Sequence, residues 1–520
     1  MPGTREGILN KLVAWVLTEP TAIFWLAGMA GTGKTSIAVT LSRMLEKEPA
    51  VMMGGGFFCS RSAGSVARTD VRRILPTVAG LLAGKSLDFA RALAAELEED
   101  PRVGHKPVAE QIGPLLQKPL AALSMTTPLV FVIDALDECD DQLELAQLIK
   151  DIAGFKSNVK IKFILTSRPE MHIRGTSIAD SQFSSILQLH TISKAEVTSD
   201  IRLYIERTLE GCSPDATWYT TNDVDVLLNL SSGLFIFAST VLKYILARGS
   251  IEGRINRLTK ATTALGMDTT STTTLDKIYE LVIAEASRID TDELQIVKRV
   301  LACILTARMS LSVLALAELM KMKPTTLRGS LELLHSVVYL PIDDAEPGLR
   351  TLHASFGDFL FDAHRAPRNI HIEAAHGHHD MAHGCLARMA QSDLCFNISH
   401  SGSSYERITG SLKPEWIPLS LIYACIHWAH HIDAASDRPA SDAGIATIFR
   451  PKLLFWLEAM VVLGKVERSS SLLRVAALAV RLPSPYVDLI LIKLWRRRKE
   501  VTSNTSSATR HHSSTPLTRR

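Results

Sequence analysis

Over the first two hundred residues, apolar runs of strand length alternate with segments whose apolar positions recur at helical spacing. That alternation is the signature of a parallel sheet covered by helices. The pattern predicts strands at Ala22 to Ala27, Gly56 to Ser60, Leu129 to Asp134, Lys162 to Thr166 and Ser185 to Leu189, with helices starting near Gly33, Thr69, Leu87, Val108 and Asp141. Arg68-Thr69-Asp70 is one N-cap signal. Ser193, with Glu196 three residues on, is a second and reads as a capping box.

Beyond about Asp200 the strand signal fades and the pattern turns helical. Asp223 to Arg248 is apolar at helical period with a break at Gly233, and the Thr-rich stretch Thr259 to Thr274 reads as a linker. Next come helix patterns at Leu275 to Ser287, Asp292 to Leu305, Val313 to Met320 and Thr325 to His335, then short apolar runs at Ser336 to Leu340 and Leu349 to Leu352. Helices followed by a short hairpin suggest a winged-helix module. The expected division is therefore an α/β unit over 1–210, an all-α lid and linker over 211–274, the winged-helix module over 275–365, a C-terminal helical region over 366–500 and a disordered tail over 501–520.

Length agrees with that count, since 520 residues make about three domains at roughly 150 residues each. The 57 Lys and Arg nearly balance the 54 Asp and Glu, so the strong basic excess of a nucleic-acid binder is missing. Seven scattered cysteines, none in a C-x-x-C pair, point to reduced thiols and a cytoplasmic setting, with the nucleus as the alternative. No apolar stretch reaches the roughly 18 residues of a membrane span, and the start lacks a signal-peptide pattern.

Candidate chemistry is concentrated in the α/β unit. Gly28-Met29-Ala30-Gly31-Thr32-Gly33-Lys34-Thr35 fits G-x-x-x-x-G-K-[ST] directly after a strand and at a helix start, with Ser36 following. Glycines let the backbone N–H groups wrap a phosphate, Lys34 reaches the β- and γ-phosphates, and the Thr35 hydroxyl ligates Mg²⁺. A chance glycine-rich turn is the competing account and fits the flanking strand and helix poorly. Five apolar residues then run into Asp134, placed to serve the metal from a neighbouring strand, while Asp137 or Glu138 is placed to polarise an attacking water. A solvated acidic turn continuing into Asp140 and Asp141 is the alternative for that pair.

These residues resemble the NACHT family of signal-transduction (STAND-class) P-loop ATPases, and in particular its fungal nephrocystin-like members. Ala135 matches the family's tiny residue after the metal Asp, and Asp137-Glu138 its acidic pair. Thr166-Ser167-Arg168-Pro169-Glu170 is similar to the family's sensor element, which implies that Arg168 contacts the γ-phosphate. Guanidinium chemistry suits that role, because it binds phosphate oxygens in a bidentate way. Ser232 to Ala238 looks like the family's lid segment, and Leu352 to Leu360 like the end of its winged helix. The resemblance makes His353 a candidate latch on the β-phosphate of ADP, although Leu352 and Ala354 depart from the family's Met and Asp; a structurally satisfied histidine accounts for it equally well. Pro2-Gly3-Thr4-Arg5 resembles the segment that opens the nucleotide domain, so Arg5 is a candidate nucleotide contact, with a plain surface arginine as the simpler reading.

The resemblance implies ATP or ADP with Mg²⁺ as ligands and a molecular switch with slow hydrolysis, ADP-closed and ATP-open, of the kind used in NLR-like signalling, innate immunity or programmed cell death. It implies a homo-oligomer in the ATP state and unidentified protein partners for sensing and output. Only 21 residues precede the first predicted strand, so no separate effector domain is expected there. Two rivals remain: a fast-turnover P-loop ATPase or phosphotransferase, and a nucleotide-binding scaffold without hydrolysis. No N-K-x-D guanine motif is present, which disfavours GTP. His371, His376, His378, His379 and His383 form a His-rich stretch in which His379 and His383 have zinc-compatible i, i+4 spacing, but no second ligand cluster accompanies them. Arg496 to Lys499 reads as the basic last turn of a helix or as a localisation patch.

Overall fold

The computed structural model describes residues 3–61, 66–169, 173, 184–212, 218–247, 250–265, 271–286, 291–400, 416–435, 439–466, 468, 469 and 471–473. Glu170, the basic run Arg496 to Lys499 and the tail expected over 501–520 lie outside the described residues. Five parallel strands, β1 (Ile23–Ala27), β2 (Met52–Phe58), β3 (Leu129–Asp134), β4 (Ile161–Ser167) and β5 (Ser184–Gln188), stand in the order β2-β3-β4-β1-β5. Successive residues of the central strands feed opposite cores. Trp25, Phe131 and Phe163 pack on one face; Phe24, Val132 and Ile164 pack on the other, against Leu12 and Trp15 of helix Glu6–Thr18 and Ile37 and Leu41 of helix Lys34–Leu45. Because both faces are covered, every residue of β1, β3 and β4 is buried, which is why β1 and all of β3 before Asp134 read as unbroken apolar runs, whereas β4 buries Lys162, Thr166 and Ser167 as well.

Two expectations about the sheet need correction. β2 begins at Met52, ahead of the predicted Gly56. Its Gly54-Gly55-Gly56 run looks like a breaker, but a Cβ at Gly54 would sit 2.6 Å from a Phe131 ring carbon, so the neighbouring side chain occupies the space that glycine leaves. Asp134 also does not lie on a strand paired with β1: β4 stands between them, with Ala27 opposite Ser167 and Ile133 opposite Leu165. The intervening strand is therefore the physical link between the glycine-rich loop and the carboxylate.

Among the described residues, the rest of the chain is helical except for one hairpin. Helices Thr221–Ser231 and Phe235–Ile245 are separated by Ser232 (φ 46°) and Gly233 (φ 83°), the break that the sequence showed at Gly233. Helices Ser271–Ala286, Thr291–Thr306, Val313–Met320 and Pro324–Glu332 lead into the antiparallel pair β6 (Val338–Tyr339) and β7 (Arg350–Thr351), and helix Ala354–Phe361 follows at once. The predicted linker is largely helix, since one helix runs to Leu265 and the next starts at Ser271. Thr259 and Thr262 donate their hydroxyls to the carbonyls of Ile255 and Leu258, so the Thr side chains are satisfied within the helix that they were expected to break. One apolar cluster extends from Ile201 to Leu473, so the segments divided at 210, 274 and 365 share a continuous core.

Helix Ala374–Met389 is seated on its neighbours through glycines. A Cβ on Gly384 would lie 2.2 Å from the Leu319 carbonyl oxygen, and one on Gly377 would lie 2.6 Å from that of Ala302. Backbone cannot yield as a side-chain tip does, so Gly384→Ala is expected to cost about 2–3 kcal/mol through overpacking. Gly329→Ala, in helix Pro324–Glu332 with open space around it, is expected to stabilise by about 0.5–1 kcal/mol. Urea midpoints of the two variants, moving in opposite directions, check both.

Candidate functional site

The loop between β1 and helix Lys34–Leu45 is anchored at both ends. The Gly28 N–H donates to the Ser167 carbonyl at the end of β4 (3.1 Å), and Ile37 donates to Gly33 (3.0 Å). Gly31 (φ 76°) and Gly33 (φ 94°) adopt left-handed backbone that a side chain would strain. Lys34 is buried, and its Nζ donates to the carbonyls of Gly28 (2.7 Å) and Met29 (3.0 Å). Burial lowers its pKa, with Asp137 opposing that shift. The Thr32 hydroxyl donates to the Met29 carbonyl (2.8 Å), which closes the turn. Met29 is open to solvent, and Ala30 is half-buried. Thr35 and Ser36 lie on the exposed side of the first helical turn.

The strand ends supply oxygen and charge. Asp134 is 1% exposed, accepts from the Thr166 hydroxyl (2.5 Å), and hydrogen-bonds with the Thr35 side chain. Burial raises its pKa, and those two hydroxyls partly offset the shift. The Thr166 oxygen also accepts from the Ala135 N–H (2.9 Å). Ala135 itself has φ 57° and ψ 48°, a conformation that crowds any larger side chain, which gives the tiny residue after Asp134 a physical reason. A hydroxyl and a buried carboxylate side by side form the hard oxygen donor set that suits Mg²⁺, so Thr35 and Asp134 fit that ion.

Asp137 and Glu138 lie where the sequence placed them, yet each has a partner. Both Asp137 oxygens face Arg168: Oδ1 accepts its backbone N–H (2.8 Å) and Oδ2 sits 3.1 Å from its Nε. Glu138 Oε2 accepts from the Arg61 N–H (2.7 Å), while the Arg61 Nη2 donates to the Asp137 carbonyl (2.7 Å). Burial raises the Glu138 pKa. In this arrangement Asp137 orients Arg168 directly. The solvated-turn alternative does not hold for Asp137, which is 5% exposed.

Three further segments reach the loop. Arg5 is buried, which overturns the surface-arginine reading: its Nη2 donates to the Thr32 carbonyl (3.2 Å) and its guanidinium lies over the Phe235 ring (4.9 Å). Its Nε lies 3.8 Å from Asp200 Oδ2, and neither Nε nor Nη1 has a hydrogen-bond partner. Helix Phe235–Ile245 makes direct contact as well. Ile236 donates its N–H to the Gly31 carbonyl (3.2 Å), and its Cγ2 lies 2.1 Å from where a Gly31 Cβ would be. His353 caps helix Ala354–Phe361, its Nδ1 accepting the Ser355 N–H (3.1 Å). Burial and the positive charges of Arg168 and Lys34 push its pKa down to about 4. With Nδ1 accepting, the neutral ring carries its proton on Nε2.

Sequence reasoning missed Ile236, Asp358, Thr166 and Arg61 as individual contributors. Asp358 had a legible signal, a lone carboxylate in the apolar helix ASFGDFLF; it lies 3.6 Å from the Arg168 Nη2. Arg61 had none. His379 and His383 are exposed and find no counterpart: among the described residues no group of three or more His, Cys, Asp or Glu is arranged to hold a metal ion. Half-buried His378 of that helix is instead bonded to a buried histidine of another helix, His378 Nδ1 to His431 Nδ1 (2.9 Å).

Fold and site together place a G-x-x-x-x-G-K-T loop between a buried parallel strand and a helix, with Asp134 and Arg168 at the ends of β3 and β4. Residues 3–168 match the family described as nephrocystin 3, N-terminal. No curated protein matches the sequence. Among solved structures, the chain is similar to a signal transduction ATPase with numerous domains that carries a tetratricopeptide repeat sensor, from Pyrococcus horikoshii, at 12% identity and a TM-score of 0.43. That match covers 94% of this chain and 55% of the other, so the chain spans about half the length of that protein. Cdc6p from Pyrobaculum aerophilum is similar at 12% identity and a TM-score of 0.29, over 68% of this chain and 90% of that one. Among the described residues no helix is long and apolar enough to cross a membrane.

Proposed function

We propose that this protein is a nucleotide-controlled conformational switch. It is held closed with ADP, exchanges to ATP with Mg²⁺, opens and self-associates, and is reset by slow hydrolysis. One observation carries the reading: the glycine-rich loop is touched by the lid through Ile236, and the sensor Arg168 by helix Ala354–Phe361 through Asp358. Any ligand that changes the loop or Arg168 changes contacts made by two separate helical segments, which is the differential affinity that a population shift requires.

In this reading Lys34 and the loop N–H groups bind the phosphates, Arg5 supplies donors near the loop, Arg168 meets the terminal phosphate, and the His353 Nε2–H donates to the inner phosphate as an uncharged group. Mg²⁺, held by Thr35 and Asp134, would supply charge neutralisation to the phosphate oxygens. Glu138, whose pKa is raised, is the stronger candidate to activate water, because Asp137 is committed to Arg168. The units over 1–210, 211–274, 275–365 (as a winged helix) and 366–500 are the moving parts of the same proposal. Unidentified protein partners provide signal and output.

The test is to identify the nucleotide that co-purifies with the full-length protein and to measure its mass by light scattering in MgADP and MgATP. ADP in the purified protein and a larger particle in MgATP are expected. Protein that carries no nucleotide and shows no affinity on titration sinks the switch, and steady-state turnover above about 1 s⁻¹ would move the reading to a conventional ATPase.

A further inference from the structure

We propose that Asp358 sets the preference between nucleoside diphosphate and triphosphate, by competing with a terminal phosphate for the guanidinium of Arg168. The inference rests on the nucleotide-switch reading and assigns its selectivity to a residue of the helical half. Arg168 is held on one side by its own strand-end neighbourhood: Asp137 takes its backbone N–H and its Nε, which fixes the direction of the side chain. The Nη2 at the far end of the guanidinium lies 3.6 Å from Asp358 Oδ2. That separation is an ion pair without a good hydrogen bond, so a phosphate oxygen that offers one displaces the carboxylate at little cost.

Asp358 is free to serve this role and badly placed to serve a structural one. Ser355, Phe356, Gly357, Phe359 and Leu360 of its helix are buried, whereas the Asp358 side chain is 51% exposed. The other arginine near it, Arg365, is committed to both carboxylate oxygens of Asp276 (2.6 and 3.1 Å). The helix itself cannot give way locally. Phe356 and Phe359 pack on the Tyr279 ring at 5.1 and 5.5 Å between centroids, and the Tyr279 hydroxyl is bonded to Ser355 (2.7 Å). Any movement of the Asp358 backbone away from Arg168 therefore carries the helix as a body, together with the His353 cap at its start.

The charge balance decides the sign. A terminal phosphate brings about two negative charges to a point that already holds the Asp358 carboxylate, whereas a diphosphate ends short of it. Lys34 and Arg168 are the cations already engaged at this end of the site, and neutral His353 adds none. With Asp358 in place the closed arrangement favours the diphosphate. Triphosphate binding and helix release are then one event.

Calorimetric titration of the full-length protein with MgADP and with the slowly hydrolysed MgATPγS tests this in the wild type, Asp358→Asn, Arg168→Ala and the double variant. Asp358→Asn is expected to raise MgATPγS affinity relative to MgADP by on the order of tenfold, within the usual range of coupling between sites. In the Arg168→Ala background it should change nothing further. An unchanged affinity ratio in Asp358→Asn, or an equal gain without Arg168, overturns the inference while leaving the switch reading intact. Wild-type protein that binds neither ligand overturns both. Asp358→Ser, read alongside by circular dichroism, replaces Asp358→Asn if the asparagine variant misfolds.

Discussion

Lys34→Ala is expected to lower nucleotide affinity by about 10²–10³-fold while leaving the fold intact. Lys34 is the buried cation at the mouth of the loop, and its ammonium already points along the loop carbonyls of Gly28 and Met29, so little ordering is needed for it to meet a phosphate. Truncating one partner of a buried charge-assisted contact costs roughly 3–4 kcal/mol, which converts to that range of affinity. The cost to stability is smaller. Alanine removes a side chain whose charge is disfavoured by burial, and it leaves two carbonyls beside a loop that water can reach. A melting temperature within a few degrees of wild type, together with loss of binding in a fluorescence titration, is the expected pair of results. Wild-type affinity in a folded Lys34→Ala protein would mean that the loop does not carry the phosphate.

The loop was legible in the sequence because its chemistry is local: glycines for left-handed backbone, a lysine at the helix start and a strand before it all lie within a dozen residues. β3 was legible for a different reason, since burial on both faces leaves a continuous apolar run up to Asp134. What stayed hidden depends on tertiary contact. The sequence offers Arg168 as a phosphate ligand, but not that Asp137 clamps it or that Asp358, almost two hundred residues away, approaches from the other side. Arg5 reads as a surface residue until the lid residue Phe235 covers it. The glycine-rich half of β2 reads as a loop until Phe131 fills the space over Gly54. Candidate sites made within one segment are visible in a sequence, and those assembled between segments are not.

The largest effect on stability is expected from acid, and it comes from histidines that the spacing argument did not single out. His378 Nδ1 meets His431 Nδ1 (2.9 Å), His431 Nε2 meets the Tyr423 hydroxyl (2.7 Å), and that hydroxyl accepts the Arg308 N–H (3.0 Å). His427 and His430 lie on the same helix as His431. Burial lowers the pKa of all four rings, to about 4 for His378 and about 3 for His427. The charged groups facing them are mostly positive: Arg308, Arg468 and Lys465, against Asp433 and Asp140 near His430 alone. The sign follows from linkage. Above pH 6.5 these rings are neutral in both folded and unfolded chains and contribute nothing to the pH dependence; as pH falls below 6.5 the unfolded chain takes up protons that the folded one refuses, so stability is lost toward the folded pKa values. At pH 5 the buried His427 ring costs about 2 kcal/mol and His431 acts in the same direction, a large share of a total of ordinary size, about 5–15 kcal/mol. Asp134 and Glu138, with raised pKa values, act in the opposite direction at the acid end, which makes pH 5 to 6.5 the informative window. Urea midpoints measured across that window should fall steeply in the wild type. His427→Leu should flatten the slope by about one proton, because it removes a buried ring that must stay neutral. A wild-type midpoint that holds steady from pH 6.5 to 5, or an unchanged slope in a folded His427→Leu protein, would show that these rings take up protons within the folded helices.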